Sequence, residues 1–154
     1  YSGRTFIMPD QSTRDAALRL KLNPIREMFE GKRVLLVDDS IVRGSTMRRI
    51  VAMLRDLKPV ELHIAIFSPA VRHPCFYGID MPSREELVAA AHAPEGVQEA
   101  LAQYLGADSL TFLSIKGMKG VTGPDVCAAC FDGDYVVPIS EGERAEILRA
   151  RRVS

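Results

Sequence analysis

The chain has 154 residues, 47% of them apolar and 26% charged, and its twenty Lys and Arg balance twenty Asp and Glu. That length suits one domain around one core, with the composition of a soluble globular protein. Neutrality removes any global field that would draw the chain to nucleic acid or an anionic membrane, and no apolar run approaches a transmembrane span. The charge is unevenly spread: ten of the twenty basic residues fall within residues 1–49, against six acidic ones.

Residues 4–9 read as a short extended segment stopped by Pro9-Asp10. Ser12 or Thr13 can cap a thin-faced, charged helix across residues 14–21, which Asn23-Pro24 ends. Ile25, Met28 and Phe29 then make a short amphipathic turn before Gly31. The centre of the chain follows. Val34-Leu35-Leu36-Val37 is the apolar run of a buried parallel strand. Asp38 and Asp39 stand where it ends, Ser40 to Thr46 form a loop of small and hydroxyl residues, and Met47, Ile50, Val51, Leu54 and Leu57 repeat at helical spacing.

Each part of this stretch has a chemical use. Strand, acidic pair, loop and helix is the layout of a ligand site at the carboxyl edge of an open α/β sheet. Backbone N–H groups of Ser40–Thr46 can converge on a phosphate, helped by the positive end of the helix dipole. Gly44 permits positive φ and close approach, Arg43 supplies a cation, and Ser40, Ser45 and Thr46 supply hydroxyls. Phosphate repels carboxylates, so Asp38 and Asp39 should face ribose hydroxyls or a hydrated Mg²⁺. A phosphorylated sugar satisfies both halves. The plainer alternative is an ordinary βα turn in which Asp39 or Ser40 caps the helix.

Val60 to Phe67 reads as the next strand, which makes residues 34–67 a βαβ unit with a parallel pair. His63 inside it reads as a packed or surface histidine rather than a catalytic one. A Pro-, Gly- and aromatic-rich loop, residues 72–82, precedes Ser83-Arg84-Glu85-Glu86, which has the form of a capping box for a helix over 87–92. Val97, Ala100, Leu101 and Tyr104 predict a helix ended by Gly106. Residues 109–114 predict a strand, glycines 117, 120 and 123 predict irregular chain, and residues 143–152 predict a charged helix. Cys127 and Cys130 form a C-x₂-C pair, which by spacing alone fits a redox dithiol, half a metal site or coincidence. Cys75 stands 52 residues before Cys127, and three thiolates make an incomplete zinc or iron–sulfur site.

The stretch from Val34 to Thr46 resembles the PRPP-binding motif of type I phosphoribosyltransferases: apolar strand, acidic pair, Gly-Ser-Thr turn. The resemblance implies that Asp38 and Asp39 contact the ribose hydroxyls and Mg²⁺ of 5-phosphoribosyl 1-diphosphate (PRPP), and that Ser40, Ile41, Val42, Arg43, Gly44, Ser45 and Thr46 cradle its 5′-phosphate. Tyr-x-Gly-Arg-Thr-Phe-Ile-x-Pro-x-Gln at residues 1–11 and Arg-x-Lys-Leu-Asn at 19–23 narrow it to the amidophosphoribosyltransferases (glutamine PRPP amidotransferases). In that family the segment matching 4–23 closes over PRPP, so Arg4 and Lys21 become cations facing the pyrophosphate. One branch carries a 4Fe–4S cluster on four cysteines. Cys75, in Pro-Cys-x-Tyr-Gly-Ile-Asp, and Cys127 and Cys130 match three of them, with the fourth outside this sequence. Tyr135 followed by Val136-Val137-Pro138 departs from the family's Tyr-Pro.

The fold expected from this is a type I phosphoribosyltransferase-like α/β domain, a parallel sheet flanked by helices and truncated at its N-terminus. It should span residues 1–140, with 141–154 a helical tail. The function expected for the parent is a glycosyltransferase that moves glutamine-derived ammonia to PRPP at the start of purine biosynthesis, is inhibited by purine nucleotides, and works in the cytoplasm as a homo-oligomer without nucleic acid or membrane. The glutaminase domain is absent from these residues, so the fragment alone should be inactive. A salvage phosphoribosyltransferase explains Asp38–Thr46 but not the cysteines. A non-catalytic PRPP or nucleotide sensor is the rival from another class.

Overall fold

A computed structural model describes residues 24–152. The predicted segments at 4–9 and 14–21, together with Arg4 and Lys21, lie outside the described residues. After a 3₁₀ turn at Arg26–Met28, β1 (Arg33–Asp38) leads through the acidic loop to α1 (Ser45–Arg55) and on to β2 (Glu61–Ile66). Two more 3₁₀ turns, Arg84–Glu86 and Val88–Ala91, come before α2 (Val97–Leu105) and β3 (Ser109–Phe112). The chain continues through α3 (Ile115–Thr122), the short α4 (Ala129–Asp132) and α5 (Glu141–Arg152).

The three strands lie in the order β1-β2-β3, all parallel. Arg33 to Asp38 pair with Glu61 to Ile66, and His63 to Ile66 pair with Ser109 to Phe112. A parallel pair needs a crossover, and α1 and α2 supply the two. Their apolar stripes face the same side of the sheet. Met47, Val51 and Leu54 of α1, Leu62, Ile64 and Ile66 of β2, Leu101, Ala102 and Leu105 of α2 and Leu110 of β3 form one buried cluster. At about 25 cal/mol per Å² of apolar area, a fully buried Leu62 or Leu101 contributes roughly 2 kcal/mol, enough to fix the register of strands whose side-chain period is two.

Asp108 sets the start of β3. Its carboxylate accepts the Leu62 N–H at 2.6 Å and the Arg55 guanidinium at 2.8 Å, while its own N–H donates to Leu62 O. The Leu62 N–H holds the Asp108 carboxyl below its ordinary value against a smaller opposing effect of burial, and the Arg55 guanidinium adds to the lowering. His63 bonds Ser109 and Glu61 on the sheet surface, the packed role expected of it.

Several expectations are corrected. β1 is not buried on both faces: Leu35 is 62% exposed and Val37 45% exposed, because no described element covers the side of the sheet away from α1 and α2. Ser83 caps nothing with its side chain, and the helix expected over 87–92 is two 3₁₀ turns broken at an extended Leu87. Tertiary contacts outbid the local pattern there. Leu87 is fully buried, and the Glu86 carboxylate is taken by Arg43 rather than by a cap. β3 stops at Phe112, and Ser114 becomes the N-cap of α3 by accepting the Gly117 N–H at 2.9 Å. Gly117 therefore begins a helix rather than breaking one. A Cβ there would lie 3.1 Å from both Leu113 Cδ1 and Ser114 Oγ, so the bare Cα lets the helix close on its cap.

Candidate functional site

The acidic pair sits at the carboxyl end of β1, beside the end of β2. Phe67 N–H donates to Asp38 O and Ser68 N–H to Asp39 O, so the two chains stay paired one step past the strands. Asp38 is half-buried and its Oδ1 accepts the Asp39 N–H at 2.9 Å; Asp39 is exposed and accepts the Ser40 hydroxyl at 2.7 Å. Each carboxylate has further acceptor sites that these bonds do not use.

Ile41 turns into the core and is 3% exposed, which pins the loop from below. The loop then meets a segment far along the chain. Val42 O accepts the Val88 N–H at 2.9 Å, and Arg43 Nε donates to Glu86 at 2.8 Å. Gly44, at φ 76° and buried, has Val88 on the side where a Cβ would point. Gly44 is also the N-cap of α1, and no side chain caps that end. Neither Asp39 nor Ser40 plays the helix-capping part of the plain βα turn. The first N–H groups of α1 are thus left for an external acceptor, at the positive end of the helix, beside the hydroxyls of Ser45 and Thr46. The nine residues from Asp38 to Thr46 run without a break from the last residue of β1 into the first turn of α1. Arg48, one turn on, lies over the Tyr104 ring at 5.1 Å.

The cysteines gather at a second place. Arg72 N–H and His73 N–H both donate to Cys130 O, which staples the Pro-rich loop to α4. Burial pushes the Cys130 thiol up, and the nearby Cys75 and Cys127 push it further, so all three share one neighbourhood. None of the three is in a disulfide. Cys75 and Cys130 are half-buried and Cys127 is exposed, which is not the pattern of three inert core cysteines. Among the described residues no group of three or more His, Cys, Asp or Glu is arranged to hold a metal ion. Around the thiols lies an aromatic shell that composition did not signal. Tyr135 donates to Pro74 O at 2.6 Å and stacks at 5.1 Å on Phe76, and Arg144 of α5 lies 4.8 Å over its ring.

A parallel sheet with an acidic strand end and a small-residue loop is the setting in which the comparisons with known proteins fall, and a family model described as phosphoribosyl transferase domain matches residues 7–78. Curated amidophosphoribosyltransferases align over nearly the whole chain. The one from Bacillus subtilis is 49% identical over 146 residues, covering 90% of this chain and 30% of the relative. That of Methanocaldococcus jannaschii is 46% identical over 141 residues, covering 91% and 29%. Among solved structures, glutamine PRPP amidotransferase from B. subtilis complexed with ADP and GMP superimposes with a TM-score of 0.74 at 47% identity, over 93% of this chain and 32% of that one. This chain is a homologue of the phosphoribosyltransferase part of the amidophosphoribosyltransferases. It spans less than a third of the length of the relatives it matches. Among the described residues no helix is long and apolar enough to cross a membrane.

Proposed function

We propose that this chain supplies the PRPP site of an enzyme that joins ammonia, released from glutamine elsewhere in the parent protein, to PRPP, giving 5-phosphoribosylamine, glutamate and pyrophosphate. The observation that carries the reading is the N-terminus of α1, which no side chain caps and which follows in the chain directly on the loop from Asp38 and Asp39. In this reading the N–H groups and hydroxyls of Ser40–Thr46 hold the 5′-phosphate, while Asp38 and Asp39 take the ribose hydroxyls and a hydrated Mg²⁺. The ammonia nitrogen forms a bond to C1 as the bond from C1 to the pyrophosphate oxygen breaks. The electron pair leaves with pyrophosphate, and the nitrogen loses a proton to solvent. Holding ammonia and C1 in line, and neutralising the departing charge, supply most of the rate. Arg4 and Lys21 are assigned that neutralising part.

The donor chemistry supports a 4Fe–4S reading: three thiols outside any disulfide, from two distant segments, beside a pair of aromatic rings. Cys75, Cys127 and Cys130 would hold it, with a fourth ligand from outside this chain, and its contribution would be structural, tying residues 72–75 to α4. Feedback by purine nucleotides, a homo-oligomeric parent and a cytoplasmic place complete the reading. So does the division into a transferase unit at 1–140 and a tail at 141–154. In the complete protein, PRPP with free ammonia and Mg²⁺ should release pyrophosphate without glutamine. Binding of PRPP with no release would favour the sensing module.

A further inference from the structure

Three consecutive residues of the ligand loop meet two residues, Glu86 and Val88, of one remote segment. Val42 O accepts the Val88 N–H, Arg43 Nε donates to Glu86 Oε2 at 2.8 Å, and Gly44 lies against the Val88 side chain. Between Glu86 and Val88, Leu87 is fully buried, so the segment is anchored independently of the loop. Arg43, the cation that the motif offers to a phosphate, is spent on a carboxylate 43 residues away. At 2.8 Å this is a charge-assisted hydrogen bond of full strength in its geometry. Both partners are half-exposed, so its worth to global stability is small. A short directional bond that adds little to stability, yet fixes the middle of a loop whose backbone must point at an anion, serves to shape the loop.

We propose that Glu86 is a positioning residue for the phosphate loop, acting through Arg43, and that Arg43 braces the loop instead of touching the phosphate. The proposal rests on the reading of Ser40–Thr46 as the phosphate cradle. It places a determinant of PRPP affinity outside the motif, in a stretch whose local pattern points to a helix cap. Losing the brace leaves the N–H groups present but less often aligned, which reduces binding of ground state and transition state alike.

The test is a double-mutant cycle in the complete protein, read by calorimetric titration with PRPP and Mg²⁺ and by steady-state kinetics. Arg43→Ala and Glu86→Ala should each weaken PRPP binding, roughly threefold to tenfold for the loss of one half-exposed charged pair. The double variant should be no weaker than either single one. KM for PRPP should rise with kcat nearly constant, and Glu86→Gln, which keeps an acceptor for Arg43 Nε, should fall between wild type and Glu86→Ala. If Arg43→Ala weakens binding while Glu86→Ala leaves it unchanged or tightens it, Arg43 is a direct phosphate ligand and the proposal is overturned. Additive losses overturn it equally. A wild-type protein that binds no PRPP overturns both this proposal and the reading it rests on.

Discussion

Replacing Gly44 by alanine probes backbone and packing at once. Its φ of 76° lies in the left-handed region, which costs an L-residue about 1–2 kcal/mol. A Cβ would also stand 3.3 Å from Val88 Cγ1 and 3.5 Å from Tyr104 Cε1. The first is tighter than ordinary contact, and such overpacking in a closed site adds about 1 kcal/mol. The chain should therefore lose about 2–3 kcal/mol, seen as a urea midpoint lowered by roughly 1–2 M at an unchanged slope. Gly44→Ala combined with Val88→Ala separates the two causes. Removing the Val88 methyls should recover the packing part relative to Val88→Ala alone, leaving about 1–2 kcal/mol of backbone cost. If the backbone instead relaxes to negative φ, the N–H groups of α1 turn away and PRPP binding in the complete protein falls at least tenfold. A Gly44→Ala variant within about 0.5 kcal/mol of wild type, binding PRPP normally, would refute the account of this turn.

Asp39→Asn should weaken Mg²⁺-dependent PRPP binding about tenfold or more, a loss of roughly 1.4 kcal/mol, and an unchanged Mg²⁺ titration would remove this carboxylate from the site. Asp108 gives a pH signature. Its folded-state pKa is held below the ordinary value chiefly by the Leu62 N–H, so its stabilisation is present above the unfolded carboxylate value and is lost as pH falls through the folded one. Asp108→Ala should cost about 1–2 kcal/mol at pH 7, since a buried N–H loses its acceptor, and the gap should narrow below about pH 4; urea unfolding at pH 7 and pH 3 that shows one constant gap defeats the argument. The complete protein purified without oxygen should carry about four irons per chain, with Cys75→Ser or Cys130→Ser lowering the content; full occupancy in both variants would exclude these ligands. Arg144→Ala should expose the Tyr135 and Phe76 rings beside Cys75 and Cys130 and speed thiol labelling at Cys130, while equal labelling rates would show that α5 does not shield the site.

The strand-to-helix core of this protein was legible because it obeys local rules. The apolar run before Asp38, the helical spacing after Thr46 and the apolar residues of β2 each carry their structure in their own periodicity. So does the Gly106 stop of α2. Resemblance of motifs extended that reading to the cysteines, two of which lie in a different segment from the third. Local sequence pattern misled where a side chain was buried or paired against a distant segment. The Ser83–Glu86 pattern is that of a capping box, but Glu86 pairs with Arg43, and the buried Leu87 breaks the helix it should have started. Gly117 has the poor helix propensity of any glycine, yet the Ser114 cap and the tight approach of Leu113 make it the residue that lets α3 begin. Only tertiary structure could decide that the motif's arginine is braced by a carboxylate, that no side chain caps the helix after the Ser40–Thr46 loop, and that one face of β1 stays open among the described residues. Each depends on which distant segment arrives at a given surface, and no spacing within a stretch of ten or fifteen residues encodes that arrival.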